Sequence, residues 1–412
     1  MDIIAFNEAA TANGRIEKFI ENPDSNSGVL TQPKVIEAGE TVTIKSGRQA
    51  ILADTVVDGN LVIEAGGDVF VPAGAGFGDL ENQINTKATK QETNITVNVG
   101  AGQTYTTINQ ALEYLSGLYP MYKKSGVTAT INLKAGFVMA EQVLVSGIDL
   151  GWITIVGEDA ETIITHTALI TSFYGDYPAF GVDKGGTSPV IGQLFRFNVE
   201  KVGGNKHGLM TWGAGSSANI IPGKGFIGAG TNGIYIVDGS TINARGANCS
   251  NAGTNGIIAI EGSTINANGA NASNAGTNGM YADGGSTINA RGANCSNAGT
   301  NGIIAVNSSI INAYGANCSN SGNAGIVANS SSTINANGAN CSNAVYSGVN
   351  AEYGSTITAY NIVIQNQTSG SARVVVRYAS HIEVVGINAT GGTAPVFSQA
   401  VNTLTGNGII YQ

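Results

Sequence analysis

Between residues 230 and 360 apolar and polar positions alternate, and the alternation returns every 23 residues. The words Ser-Thr-Ile-Asn-Ala begin at Ser240, Ser263, Ser286 and Ser332, with variants at Ser309 and Ser355. Ile242, Ile265, Ile288, Ile311, Ile334 and Ile357 form one apolar column, and Ala244, Ala267, Ala290, Ala313, Ala336 and Ala359 another two places on. A step of two between inward columns is strand alternation. A second strand is expected after the turn glycines Gly233, Gly256, Gly279, Gly302, Gly325 and Gly348. A third is expected through Ala247, Ala270, Ala293, Ala316 and Ala339 into the column Cys249, Ala272, Cys295, Cys318, Cys341. Three short strands and three turns in a coil of about 23 residues predict an all-β, right-handed parallel β-helix. Residues 223–394 hold none of the prolines, as continuous backbone ladders require.

The rest of the chain reads in segments. Residues 1–78 carry short alternating strands, Glu40–Ile44, Asn60–Glu64 and Asp68–Pro72, and are expected to form a small N-terminal β module. Residues 79–94 are polar and helix-capable, a linker or a short coiled-coil neck. Within 95–229, Ile108, Ala111, Leu112 and Leu115 share one helical face behind Thr106 or Thr107 as N-cap. An open β-helix end exposes unpaired backbone, so this helix is placed to cap the first of the irregular coils. Residues 230–360 are the regular shaft, and 361–412 are final coils and a closing tail.

Composition narrows the partners. Only 11% of the 412 residues are charged and the net charge is −9, which argues against nucleic acid and against an anionic membrane surface. The start, Met1-Asp2-Ile3-Ile4, has no basic stretch before an apolar run, and no long apolar segment follows, so a soluble, cytoplasmically made chain with no membrane insertion is expected. The four cysteines share one column with Ala272 and Ile364, which reads as free, buried packing cysteines rather than disulfides or a metal site. His166, His207 and His381 have no metal-ligand spacing, and neither metal nor cofactor is expected. Gly228-Ala229-Gly230-Thr231-Asn232-Gly233 matches a dinucleotide fingerprint, but its last four residues recur as array turns without a helix behind them.

The stretch from Val99 to Gly157 combines the cap helix, Ile131-Asn132-Leu133-Lys134-Ala135-Gly136 and Ile153-Thr154-Ile155-Val156-Gly157. In this order it resembles the pectate-lyase-like β-helices of bacteriophage tail spikes and tail fibres. The opening Arg15–Pro23 and the β module after it resemble a virion-attachment head. The resemblance implies a homotrimer in the virion tail, fixed by its N-terminal part to a tail or baseplate protein and reaching toward bacterial surface polysaccharide. Independently, alternation points Tyr235, Ile258, Tyr281, Ile304 and Val327 outward, a column suited to a trimer interface, unless a loop or terminal segment of the same chain covers it.

Chemistry is sought where the repeat breaks. Asp238 and Glu261 occupy equivalent places one coil apart, with Asp283 nearby on the next. Strand spacing of about 5 Å makes them a candidate glycosidase pair, or solvated turn charges. Tyr174, Asp176, Tyr177, His207 and Trp212 in the irregular coils are the candidate glycan-binding set, because rings stack on pyranose faces while polar groups read hydroxyls. Glu158-Asp159-Ala160-Glu161 reads as a solvated turn. Three functions follow: adsorption to a glycan without cleavage, a capsule or lipopolysaccharide depolymerase (glycosidase or lyase), or a structural tail spacer.

Overall fold

The computed structural model describes residues 93–118, 126–367 and 373–391 with their side chains. Of Tyr119–Pro120, Gly408–Tyr411 and the strands between residues 6 and 91 it describes the backbone alone. Two compact units divide the chain: Met1–Gln91 with Gly117–Met121, and Glu92–Ser116 with Tyr122–Gln412.

The larger unit is a right-handed parallel β-solenoid of about ten coils of about 24 residues. Three walls enclose its core. The first starts with Ile95–Val99, Ala129–Leu133, Ile153–Gly157 and Val190–Ile191, and is carried on by a nine-stranded sheet from Ser217–Asn219 to Gly408–Tyr411. The second holds Val138–Met139, Thr162–Ile164, Leu194–Phe197 and Gly225–Ile227. The third is a ten-stranded sheet from Val143–Ser146 to Val374–Val376. In the array each strand pairs in register with its copy one coil on, Ile242 with Ile265 and Ile265 with Ile288. The isoleucine column is 0–1% exposed, and each such burial contributes about 1.5–3 kcal/mol against the unfolded chain.

The expected third strand of the array reduces to single bridges, Asn248 to Asn271 to Asn294 to Asn317 to Asn340. The side chain explains it: Asn248 Oδ1 accepts from the backbone N–H of Ser250 at 3.2 Å, a local turn, and Asn251 then adopts φ +61°. Such a turn competes with strand extension. The glycines preceding the second strand also differ from expectation. Gly256, Gly279 and Gly302 lie within or at the head of strands, and their need for glycine is spatial, since a Cβ on Gly279 would stand 2.5 Å from Cys295 Cβ. An unforeseen column, Gly253, Gly276, Gly299 and Gly322, is tighter still: each added Cβ would sit 2.0–2.1 Å from the carbonyl oxygen of the glycine one coil before. The Gly228–Gly233 stretch leads into the strand Ile234–Val237, which removes the dinucleotide reading.

The helix Ile108–Ser116 buries the four residues its periodicity selected, Ile108, Ala111, Leu112 and Leu115. Thr107 is the N-cap: its Oγ1 accepts from Gln110 N at 3.2 Å and Gln110 Oε1 accepts from Thr107 N at 3.3 Å, a capping box. Glu141, distant in sequence, adds a second cap, its carboxylate accepting from Ile108 N at 2.6 Å and Asn109 N at 3.0 Å. Burial raises the Glu141 pKa, and the two backbone donors oppose that shift.

The smaller unit winds too. Ile16–Ile20, Thr41–Ile44 and Asn60–Ile63 pair in parallel, with Phe6–Ala10 antiparallel at the edge. Val29–Thr31, Gln49–Ile51 and Asp68–Phe70 form a second parallel set, and Val35–Ile36 with Val56–Val57 a third. Val29 pairs with Gln49 and Gln49 with Asp68, a coil shorter than the array's. Most of the neck expected at 79–94 and most of the closing tail lie outside the described residues; of the neck, Lys90–Gln91 is a short strand beside Tyr119–Pro120, and of the tail, Gly408–Tyr411 extends the nine-stranded wall beside Ser380–Val385.

Candidate functional site

The outward face of the ten-stranded wall collects the unusual side chains. One outward column runs in register through Leu144, Gly181, Met210, Tyr235, Ile258, Tyr281, Ile304, Val327, Asn350 and Val375. This contains the five residues read as a trimer face. Alternation alone implies exposure, but Ile258 and Val327 keep only 9% and 6% of their surface. Neighbours about 4.8 Å above and below shield each side chain. Tyr235 and Tyr281 are half-buried, and Tyr281 donates its hydroxyl to Asp283 Oδ2 at 2.9 Å. Burial, then that carboxylate, holds the Tyr281 hydroxyl protonated well above its ordinary range.

Over the N-terminal end of this column lies a loop of the same chain. Phe173 and Asp176 exchange backbone hydrogen bonds at 2.8 and 3.0 Å around Tyr174-Gly175, whose φ values are +52° and +89°. That is a two-residue primed hairpin turn, a conformation Asn or Gly adopts freely and a tyrosine rarely. The loop is tied down by Gln142, whose amide donates to Thr171 O and Pro178 O and accepts from Thr171 N at 2.6 Å. Lys206 Nζ donates to Leu169 O at 2.7 Å and stands 5.5 Å over the Tyr177 ring. Phe173 packs with Met210 and Val237, and Gly181 leaves room for it, since a Cβ there would be 3.3 Å from the Phe173 ring.

Tyr174, half exposed, lies flat on Trp212 with centroids 4.4 Å apart and planes 8° from parallel. Its hydroxyl donates to Asp183 Oδ2 at 3.0 Å, an interaction that raises its pKa. Asp183 is 7% exposed, and its other oxygen has no partner. Below, His207 is 1% exposed. Its Nδ1 accepts from Asn232 Nδ2 at 3.1 Å, which leaves the proton of the neutral ring on Nε2, 3.1 Å from Asp176 Oδ1 but off the direction a hydrogen bond needs. Asn232 is itself the end of a buried amide chain in which Asn301 donates to Asn278, Asn278 to Asn255 and Asn255 to Asn232, at 3.0–3.1 Å.

The structure therefore brings Tyr174 and Trp212 into one platform with Asp176, Tyr177 and His207 beside or beneath it. His207 is too buried to touch a ligand and packs beside the Tyr235 ring, 5.0 Å away. Asp183 and Phe173 complete the arrangement. The sequence showed both among the aromatics and acids of this stretch but gave no reason to single them out, because the hairpin that joins them is a tertiary contact.

Asp238 and Glu261 share one exposed corner, at φ +57° and +53°. Asp283 does not join them: it lies one place earlier in its coil, where its carboxylate accepts from Tyr281 and from Asn307 Nδ2 at 2.8 Å. The Glu158–Glu161 acids act as latches between coils. Glu158 pairs with Lys134, Asp159 accepts from Gly136 N at 2.6 Å, and Glu161 binds Arg196 through both oxygens at 2.5 and 2.9 Å. The four cysteines are free and buried, as the column implied, and burial pushes the Cys249 thiol up to about 12. Among the described residues no cluster could hold a metal, and no helix is long and apolar enough to cross a membrane.

Sequence analysis did not single out a second aromatic pair. Tyr353 and Tyr378, about half exposed, stack at 4.4 Å and 9° on the same corner column as Asp238 and Glu261. Aligning the coil corners places a tyrosine where earlier coils have Asp, Glu, Gly, Asn or Ser, and that signal would have found Tyr353.

No family model matches the sequence, and no curated protein matches it. Solved structures similar in fold include the catalytic domain of a GH87 α-1,3-glucanase variant in complex with nigerose (12% identity, 78% of this chain and 68% of that chain, TM-score 0.43). Another is the A-module of a mannuronan C-5 epimerase from Azotobacter vinelandii (13% identity, 70% of this chain and 92% of that one, TM-score 0.33).

Proposed function

We propose that this chain is a bacteriophage tail spike or fibre that adsorbs to a bacterial surface polysaccharide as a homotrimer. The N-terminal unit docks to a tail or baseplate protein, and the solenoid carries the glycan contact. The single observation that supports the binding role most is the Tyr174–Trp212 platform beside Asp183. A flat, partly exposed ring pair offers a face to the axial C–H groups of a pyranose, the partly exposed Asp176 supplies an acceptor for its hydroxyls, and the buried Asp183 holds Tyr174 in place. The tail assignment rests on the resemblance of Val99–Gly157 and of the N-terminal head.

Isothermal titration of the whole protein with host surface polysaccharide tests this reading. Trp212→Ala is expected to weaken binding at least tenfold, and unchanged binding in that variant rejects the site. Sedimentation equilibrium tests assembly, and a monomer at micromolar concentration rejects the trimer.

A depolymerase is the second reading, favoured by the placement of Asp238 and Glu261 at the same corner of successive coils. A reducing-end assay on the wild type, Asp238→Asn and Glu261→Gln decides it: without release by the wild type the enzyme reading fails. If the isolated protein neither binds host cells nor competes with phage adsorption, a structural spacer remains.

A further inference from the structure

We infer that the two aromatic stacks are the ends of one binding track for a linear, neutral polysaccharide running parallel to the solenoid axis. This rests on the glycan-binding reading above and extends it to a second site and a ligand class.

The two stacks are built alike. Tyr174 has φ +52°, Tyr353 +52° and Tyr378 +55°, and each lies parallel to its partner ring at 4.4 Å. A bulky aromatic in the left-handed region is strained, and none of the other positions of this corner column carries one: Asp238, Gly284 and Asn307 reach it more easily, and Glu261 and Ser330 are unbranched at Cβ. Strain retained in a half-exposed side chain points to use of that side chain. Beside the second stack Arg377 donates to Glu352 Oε1 at 3.0 Å and to the Tyr346 hydroxyl at 2.8 Å, fixing a polar rim around the rings.

Both stacks lie along one edge of one wall. From Trp212 the outward column passes through Val237, Ile260, Asp283, Val306 and Asn329 to Glu352, next to Tyr353. About six coil steps of about 4.8 Å separate the two ends by roughly 29 Å. Between them the corner carries Asp238, Glu261, Gly284, Asn307 and Ser330, small or hydrogen-bonding groups with no bulky side chain in the way. Carboxylates at Asp238, Glu261 and Asp283, in a chain of net charge −9, accept from hydroxyls but repel a polyanion. The ligand is therefore hydroxyl-rich and uncharged, and long enough to reach both stacks. On this reading Asp238 and Glu261 line a track and need not cleave.

The test uses the full chain, with size-fractionated neutral oligosaccharides from dextran, α-1,3-glucan and galactan hydrolysates and oligouronates of matched length as probes. For at least one neutral series, affinity is expected to rise at least tenfold between disaccharides and chains that span both stacks, while oligouronates bind more weakly. Tyr353→Asn and Tyr378→Asn are expected to abolish that advantage, so that long and short chains bind alike, without lowering the melting temperature. Length-independent affinity, tighter binding of oligouronates, or unchanged long-chain binding in both tyrosine variants overturns the track. A fall in melting temperature with no change in binding shows a structural staple and overturns it too. Loss of short-chain binding in Trp212→Ala together with any of those results leaves the first site standing and removes only the track. If no neutral chain binds the wild type, the track falls, and the titration with host surface polysaccharide decides the glycan-binding reading separately.

Discussion

The irregular coils of 95–229 and the regular coils of 230–360 enclose the same three walls but fill them differently. In the irregular coils the second wall is a true four-stranded sheet, and Phe180, Phe195 and Phe226 pack as a cluster with centroids 5.2–5.7 Å apart. In the array that wall thins to an asparagine bridge per coil, and the space opposite is filled by Ile, Ala and Cys. Large side chains force each coil to be individual, which creates insertions such as the Tyr174 hairpin. Small ones let each coil copy the last, which gives tight stacking and little surface variety. Insertions and large aromatic side chains collect in the first region and mechanical regularity in the second.

The sharpest test of this contrast lies in the tightest stack. Gly276→Ala or Gly299→Ala would bring a Cβ to 2.0 Å from a carbonyl oxygen, and a loss of at least about 4 kcal/mol in urea denaturation is expected. A loss below about 1 kcal/mol would mean that the array is as adaptable as the irregular coils. Next, Phe226→Ala should cost about 3–5 kcal/mol. Cys318→Ala, which imitates the natural Ala272 of the same column, should cost no more than about 1 kcal/mol. Equal losses in the two variants would erase the distinction between the cores.

Asn278→Ala should cost about 1–3 kcal/mol, because it leaves Asn255 Oδ1 and the Asn301 amide without their partners in a buried ladder. Hydrogen exchange across the array would register the break.

The smallest effect concerns pH. Hydrogen bonds from Lys134 hold the Glu158 pKa below its ordinary value, and Arg196 does the same for Glu161. Their contribution is present above the unfolded carboxylate value of about 4.3 and is lost as pH falls through the lowered folded values. Glu141 runs the other way: with its pKa raised by burial, it favours folding below about 4.3 and loses that benefit as pH climbs through the raised value. Acidification should thus loosen the latches around Glu158 and Glu161 while the helix cap holds, seen as lower amide protection factors there, relative to the intrinsic exchange rate, at pH 3 than at pH 6. The reverse order would show that these acids do not secure the coils.

The regular fold was legible because period and face repeat together: the isoleucine column predicted the register, and Ile108, Ala111, Leu112 and Leu115 the buried face of the cap helix. Alternation turns Asn243, Asn266, Asn289, Asn312 and Asn335 outward as a column whose stacked amides can bond along the ladder, but continuous bonding there stops at Asn266, and Asn289 Oδ1 is unpartnered. The continuous ladders run instead through Asn251 to Asn343, Asn232 to Asn301 and Asn248 to Asn317, a choice set by backbone conformation that column position does not reveal. The site was half legible. Composition pointed to Tyr174 and Trp212, yet their stacking depends on a hairpin folded over another coil. Tyr353 is in register at 23 and marks the corner, but its partner Tyr378 escaped because the last full coil runs 25 residues, as Ser355 and Ser380 mark, so an alignment at 23 slides past it.

The asparagine ladders have a direction. Every amide in the three continuous rows donates to the coil before it, so each row points its N–H₂ groups toward the capped end and its oxygens toward the last coils. Aligned side-chain dipoles add as peptide dipoles do in a helix. The rod is thus electrically polar along its length, with a partial positive charge toward the first coils and a partial negative one toward the last. Each repeat added by duplication would lengthen that dipole as well as the shaft.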